Sequence, residues 1–267
     1  MREFSEFAVH LADLAAEQIL PRFRAPVGTE NKSKGGGYDP VTVADREAEA
    51  AIRREIRRVY PDHGILGEEH GFDAGTSAYT WILDPIDGTR SFVLGQLHWG
   101  TLIALNDGNA PIVGLMRQPY TGETFIGTAV GTELRRGNST TRLTARAASR
   151  LAEVTVCATD PTMFAGEAHQ RAFARLAPHA RSVRFGGDCY TPCLVAGGWA
   201  DLVVEAGLKP WDVQALIPIV QGAGGIITDW SGGPADRANE VIIAANRPLH
   251  AEVVAALAWP VPGERNG

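Results

Sequence analysis

Residues 81–92 read Trp-Ile-Leu-Asp-Pro-Ile-Asp-Gly-Thr-Arg-Ser-Phe. The apolar run Trp81-Ile82-Leu83 has the character of a buried strand near its end. It delivers two carboxylates, Asp84 and Asp87, on either side of Pro85, and Gly88-Thr89 then open a turn that starts a helix. A strand end that presents carboxylates beside free backbone N–H groups can hold a hard cation and a phosphate together. Read alone, the same residues also suit an Asp/Pro/Gly turn that only reverses the chain. The rest of the chain decides between the two.

At 267 residues the chain makes one large domain or two closely packed lobes, and its 45% hydrophobic content supplies a core. No run of about 18 consecutive apolar residues is present, so no transmembrane helix is expected. The opening Met1-Arg2-Glu3-Phe4-Ser5-Glu6 is acidic and amphipathic, unlike a signal peptide. The three cysteines, Cys157, Cys189 and Cys193, are an odd number. A disulfide framework does not follow from them, and a reducing cytoplasm fits. Cys189 and Cys193 share an expected helix. Without a companion His they read as packing residues rather than metal ligands. Net charge is −6 and the basic residues are scattered, which argues against a nucleic-acid partner. The small cluster Arg53, Arg54, Arg57 and Arg58 shares its segment with Glu47, Glu49 and Glu55 and reads as the solvated face of a helix.

Phe4, Phe7, Leu11, Leu14 and Ile19 follow a helical period and predict a helix over 3–20, ending near Pro21. Residues 28–38 form a polar glycine-rich loop with two lysines, either a linker or an active-site flap. Ala44, Ala48, Ile52, Ile56 and Val59 predict a second helix over 43–59. From 80 to 136 strands and turns dominate. The apolar runs 101–105 and 112–116 flank Asn106-Asp107-Gly108-Asn109 as in a hairpin. Beyond 140 the expected elements are strands at 153–158, 181–185, 201–205, 225–229 and 240–244, with helices at 167–177, 188–197, 212–222 and 247–257. The fold class is therefore α+β, with an antiparallel sheet in residues 1–145 and an α/β-like lobe in 146–267 joined by a shared interface.

Four acidic segments stand out. Asp39 to Asp45 opens the second helix, Gly67-Glu68-Glu69 follows a turn, Asp84 and Asp87 end a strand, and Trp211-Asp212 opens a late helix. Each has a bland reading: Asp212 as a helix cap, Asp45 as a first-turn acid, Glu68-Glu69 as a solvated loop. Together they describe a carboxylate-rich pocket, and clustered buried carboxylates require cations. All-oxygen ligands select Mg2+, Mn2+ or Ca2+ rather than zinc. Two such ions can clamp the attacking and leaving oxygens of a phosphoryl transfer. The chain has no P-loop, no Gly-x-Ser-x-Gly elbow and no His-Glu-x-x-His helix.

In this order and spacing the motifs resemble the inositol monophosphatase family: Asp39-x-Val41-Thr42-x-x-Asp45, Gly67-Glu68-Glu69, Trp81 through Thr89, and Trp211-Asp212 followed by Gly224-Gly225. The resemblance spans residues 34–225. It implies a layered α-β-α-β-α sugar-phosphatase fold, Mg2+-dependent hydrolysis of phosphomonoesters with two or three Mg2+ per subunit (Mn2+ substituting), lithium inhibition and a homodimer. Carried over by residue, it implies Glu68, Asp84 and the Ile86 carbonyl as ligands of one metal, and Asp84, Asp87 and Asp212 as ligands of a second. Thr89 and Asp45 become the pair that activates water, Gly88 and Thr89 the phosphate-facing N–H groups, and Glu69 a support of the metal site. One departure is Gln214, where the family usually has Ala or Cys, so the wall beside the second metal is expected to differ.

The segments Arg184 to Tyr190 and Val204 to Pro210 resemble the histidinol-phosphatase branch of the family. Asp188 adds a carboxylate on the substrate side, and Glu205 takes the position that binds a substrate hydroxyl in inositol phosphatases. Two carboxylates suit a cationic substrate such as histidinol phosphate. Asp188 also reads as the N-cap of a helix over 189–197. The alternatives are an inositol-1-phosphatase, a broad sugar phosphatase, and a protein- or RNA-associated regulator with weak activity.

Overall fold

The computed structural model describes residues 1–25, 29–31, 40–147 and 150–258. The segment expected to form a flap lies largely outside the described residues, as does Asp39.

The helices are α1 (Arg2–Ile19), α2 (Val43–Val59), α3 (Thr89–Val93), α4 (Glu167–Leu176), α5 (Tyr190–Ala196), α6 (Pro210–Val213), α7 (Leu216–Gly222) and α8 (Arg247–Leu257). A short ladder joins β1 (Thr29–Asn31) and β2 (Pro40–Thr42). The main sheet is built from β3 (Gly64–Gly67), β4 (Gly71–Asp73), β5 (Thr80–Asp87), β6 (Gly100–Asn106), β7 (Pro111–Gln118), β8 (Glu123–Thr128), β9 (Gly131–Arg136) and β10 (Ser139–Leu143), in the order β10-β9-β8-β7-β6-β5-β3-β4. Only the β3–β5 pair in it is parallel. The second sheet holds β11 (Thr155–Ala158), β12 (Ser182–Phe185), β13 (Leu202–Ala206), β14 (Ile226–Thr228) and β15 (Glu240–Ala244), in the order β12-β11-β13-β15-β14.

Side-chain alternation along the strands builds three apolar layers. Trp81, Leu83, Ile103, Leu105 and Leu115 face one way and pack against Leu11, Ala15, Ala48 and Ile52 of α1 and α2. Their neighbours Ile82, Leu102, Ala104 and Phe125 face the other way, onto Cys193 and Val195 of α5 and Ile219 and Val220 of α7. Val203 and Ile243 of the second sheet close that layer from beyond. Leu202, Val204, Ile242 and Ala244 turn outward onto Ala172 of α4 and Leu249 and Val253 of α8. The stack is α-β-α-β-α, as the resemblance implied, and residues from both expected lobes share the central core. Cys189 and Cys193 are buried in it as packing residues.

Three expectations need correction. Residues 212–222 form two helices, not one, because Pro218 has no N–H to donate to the Gln214 carbonyl. The second sheet is mixed: β13–β15 and β14–β15 are antiparallel. The Arg/Glu cluster of α2 is not uniformly solvated, since Glu49 and Arg53 are buried beneath β3 and β4.

Candidate active site

Regular strand residues three apart point to opposite faces. Asp84 and Asp87 nevertheless meet, because β5 carries a bulge. Asp84 pairs with Leu102 and Asp87 with Gly100, so the β5 side holds one residue more. Pro85, with no N–H, sits in the bulge, and its carbonyl accepts a bond of 2.8 Å from Thr101 Oγ1. The Asp84 carboxylate is fixed from within, accepting from Ile86 N at 3.1 Å. Asp212 arrives in the first turn of α6, where it accepts from Lys209 N at 2.8 Å. Oxygens of Asp84, Asp87 and Asp212 lie within 4.8 Å of one another. Glu68, just past the end of β3, lines the same cavity of about 520 Å³, together with Ile86, Gly88, Thr89, Asp188 and Glu205.

Burial pushes Asp84 and Asp212 well above the usual carboxylate range, and the neighbouring charges of Glu68 and Asp87 add to the effect. Burial, followed by the charge of Asp188, raises Asp87 to about 7. Such a cluster at neutral pH takes up protons or a compensating cation. All-oxygen donors this close match a hard divalent ion.

Asp45 stands behind this front. It is third in α2, and its Oδ2 accepts from Thr42 N at 2.8 Å and Thr42 Oγ1 at 2.6 Å. Burial raises it to about 6. Thr89 Oγ1 lies 3.0 Å from Ile86 O and 3.5 Å from Asp45 Oδ1, so its proton goes to the carbonyl and Asp45 is at the limit of reach. Glu69 is half-buried but is not among the residues lining the cavity, and its backbone N–H donates to Glu49.

On the opposite wall, Asp188 does not cap α5. It has φ 41°, and its Oδ2 accepts from Ser91 Oγ at 2.8 Å. The N–H of Cys189, just before α5, is taken instead by Asp87 Oδ2 at 2.8 Å. Glu205, on β13, holds Oε1 against Thr159 N and Thr159 Oγ1, both at 2.8 Å, while its buried Oε2 has no partner among the described residues. Burial raises Glu205 to about 8. Gln214 is not among the residues lining the cavity: its Oε1 accepts from Asn106 Nδ2 at 2.9 Å and its Nε2 donates to Asp236 O at 3.2 Å.

Sequence reasoning missed Ser91, Thr159 and Asp160, all on the cavity wall. Thr159-Asp160-Pro161 follows the apolar β11 much as Asp84-Pro85 follows Leu83, and that repetition was the available signal.

The chain matches the model of the inositol monophosphatase family over residues 1–262. It belongs to that family. The phosphatase is 35% identical over 253 residues to the histidinol-phosphatase of Chlorobaculum parvum, covering 94% of this chain and 95% of that one. It is 36% identical over 260 residues to the chloroplastic bifunctional phosphatase IMPL2 of Arabidopsis thaliana, covering 93% of this chain and 73% of the relative. Among solved structures, an inositol monophosphatase from Zymomonas mobilis superposes with a TM-score of 0.84 at 36% identity, covering 96% of this chain and 98% of the other. The phosphatase is thus a metal-dependent enzyme of small phosphorylated substrates, and among its described residues no helix is long and apolar enough to cross a membrane.

Proposed function

We propose that this phosphatase hydrolyses L-histidinol phosphate to L-histidinol and phosphate, with Mg2+ as its natural cation and Mn2+ as a substitute. Glu68, Asp84 and the Ile86 carbonyl would hold one ion, and Asp84, Asp87 and Asp212 another. Bound there, the ions supply Lewis acidity to the phosphoryl group and to the attacking water. The chain's own groups orient and relay. Thr89 Oγ1, anchored on Ile86 O, directs the water toward phosphorus. Asp45, at about 6, is mostly ionised at neutral pH; once the Thr89 hydroxyl turns from Ile86 O to Asp45 Oδ1, 3.5 Å away, its oxygen accepts the proton that water gives up while its own proton passes to Asp45. The P–O ester bond breaks as the new one forms, and the departing alkoxide takes a proton from solvent. The turn at Gly88-Thr89 holds the phosphate.

The observation that carries the substrate is Glu205 Oε2, buried without a partner among the described residues in a cavity that Asp188 also lines. A substrate ammonium would displace the proton that Glu205, raised to about 8, carries at neutral pH, and would then lie between two carboxylates. Histidinol-phosphatase relatives from Mycobacterium tuberculosis and Streptomyces coelicolor, at 32% and 33% identity, support the same reading. Inositol 1-phosphate is the second reading. Its hydroxyl could donate to the same Glu205 oxygen, and an inositol-1-monophosphatase of Synechocystis is 35% identical over 230 residues. The resemblance also supports a homodimer, which sedimentation equilibrium would check.

The test is phosphate release from histidinol phosphate, inositol 1-phosphate, fructose 1,6-bisphosphate and a 3′-phosphonucleotide. Histidinol phosphate is expected to have the highest kcat/KM. A preference for inositol 1-phosphate would reject the substrate while leaving the phosphatase.

A further inference from the structure

Glu49 has no exposed surface, yet its carboxylate is not part of the cavity wall. It follows Asp45 by one turn of α2, so the two acids share a helix face. Asp45 reaches toward Thr89, whereas Glu49 reaches into the bend between β3 and β4. There its Oε2 accepts from Glu69 N at 2.8 Å, and its Oε1 accepts from His70 N at 3.1 Å and Arg53 Nε at 2.7 Å. Two successive backbone N–H groups therefore converge on one carboxylate. The approach leaves no room for a side chain at Gly67, where a β-carbon would lie 2.1 Å from Glu49 Oε1. Arg53 extends the clamp, with Nη1 on Asp73 Oδ2 at 3.0 Å and Nη2 on Gly71 O. Glu68 stands inside this bend. Its own N–H goes to Leu83 O at 3.2 Å, next to Asp84.

We propose that Glu49 is a positioning residue for Glu68. It shapes the bend before any metal arrives, so that α2 sets both Asp45 and the Glu68 side of the cation site. This rests on reading Glu68 as a metal ligand. A buried Glu–Arg pair is a poor source of net stability, because desolvation offsets the attraction. Holding a ligand in its working geometry is a role that tolerates that cost, since the ordering penalty is then not drawn from metal affinity.

The experiment is Mn2+ titration followed by electron paramagnetic resonance, without substrate, on wild type, Glu49→Gln and Glu68→Gln. Gln keeps the size of Glu49 but turns donor hydrogens toward N–H groups. Glu49→Gln is expected to weaken Mn2+ binding about 10- to 100-fold, the usual range for groups that orient a ligand. At saturating metal, kcat and KM should return to within about threefold of wild type, because no group that touches substrate has changed. Unchanged affinity in Glu49→Gln beside weakened binding in Glu68→Gln overturns the proposal. Unchanged affinity in Glu68→Gln overturns the ligand assignment and the proposal with it. Should Glu49→Gln fail to fold, amide exchange in the wild type still decides. The Glu69 and His70 amides are expected to be protected in EDTA as well as in Mg2+. Protection that appears only with Mg2+ would mean that the metal shapes the bend, not Glu49.

Discussion

Gly88 and Asp188 lie far apart in the chain and touch: a β-carbon on Gly88 would stand 3.0 Å from both Cβ and Cγ of Asp188. Both residues have positive φ, 81° and 41°. Gly adopts that region freely, and Asp tolerates it better than most other residues. The contact presses the turn before α3 against the turn before α5 and sets a carboxylate beside the turn proposed to hold phosphate. Asp188→Asn keeps the shape and the Ser91 contact but removes the charge. We expect it to lower kcat/KM for histidinol phosphate by about 10- to 150-fold, from a charge-assisted contact of about 1.5–3 kcal/mol. Inositol 1-phosphate should change by less than about threefold. Equal losses on both substrates would reject a specificity role for Asp188.

Asp84→Asn should nearly abolish turnover while the fold survives. Asp84 is the one acid shared by both proposed ions, so its loss opens the clamp. In EDTA the variant should melt no lower than wild type, because the substitution removes a buried carboxylate whose neighbours repel it. Residual activity above about a tenth of wild type at saturating Mg2+ would argue against the bridging role.

Thr89→Ala should lower kcat by about 100-fold or more and leave KM within a few-fold, because the hydroxyl acts on water and the backbone N–H still faces phosphate. Steady-state kinetics would read this directly. A change confined to KM would make the side chain a substrate contact only.

The metal-free protein should become more stable as the solution is made more acidic. In the folded chain Asp87 titrates at about 7 and Glu205 at about 8, against ordinary values of 3.8 and 4.5. Between those limits the folded state binds more protons than the unfolded state, so stability falls as pH rises. From pH 8 to pH 6 the Tm in EDTA should rise by about 5 °C or more. Saturating Mg2+ should raise Tm at pH 8 and flatten the part of the slope that comes from Asp87, since cation and protons compete for its oxygens. A Tm in EDTA that falls on acidification would contradict the buried, closely spaced carboxylates.

The elements most legible in the sequence are those whose signals are local. The bounds of α2 follow from its apolar period, and the β6–β7 hairpin follows from its Asp-Gly turn. Trp81 to Leu83 announced the central strand. The short strands β3 and β4 carried no comparable pattern. β4 is exposed along its length, and its place is set by pairing with β3 and by Arg53 beneath it. Glu49 looked like a surface acid for the same reason: helical periodicity marks the apolar face of α2 but cannot show that a hairpin folds over part of the polar one. Gln214 looked like a change in the metal wall until Asn106 and Asp236 claimed its side chain.

By itself the sequence determined which chemistry was available. Its carboxylate motifs, in their order and spacing, marked a metal-dependent phosphatase, because ligand type and strand-end turns are properties of short segments. Only the tertiary structure decided which carboxylates meet. Asp84 and Asp87 share a cavity because β5 bulges against β6, and Asp212 joins them because α6 is docked on that end of the sheet. Asp188 lines the same cavity because its turn is wedged against Gly88 and Ser91. Mutual distance, burial and the resulting proton affinity belong to pairs of residues brought together from separate elements, and no single segment encodes them.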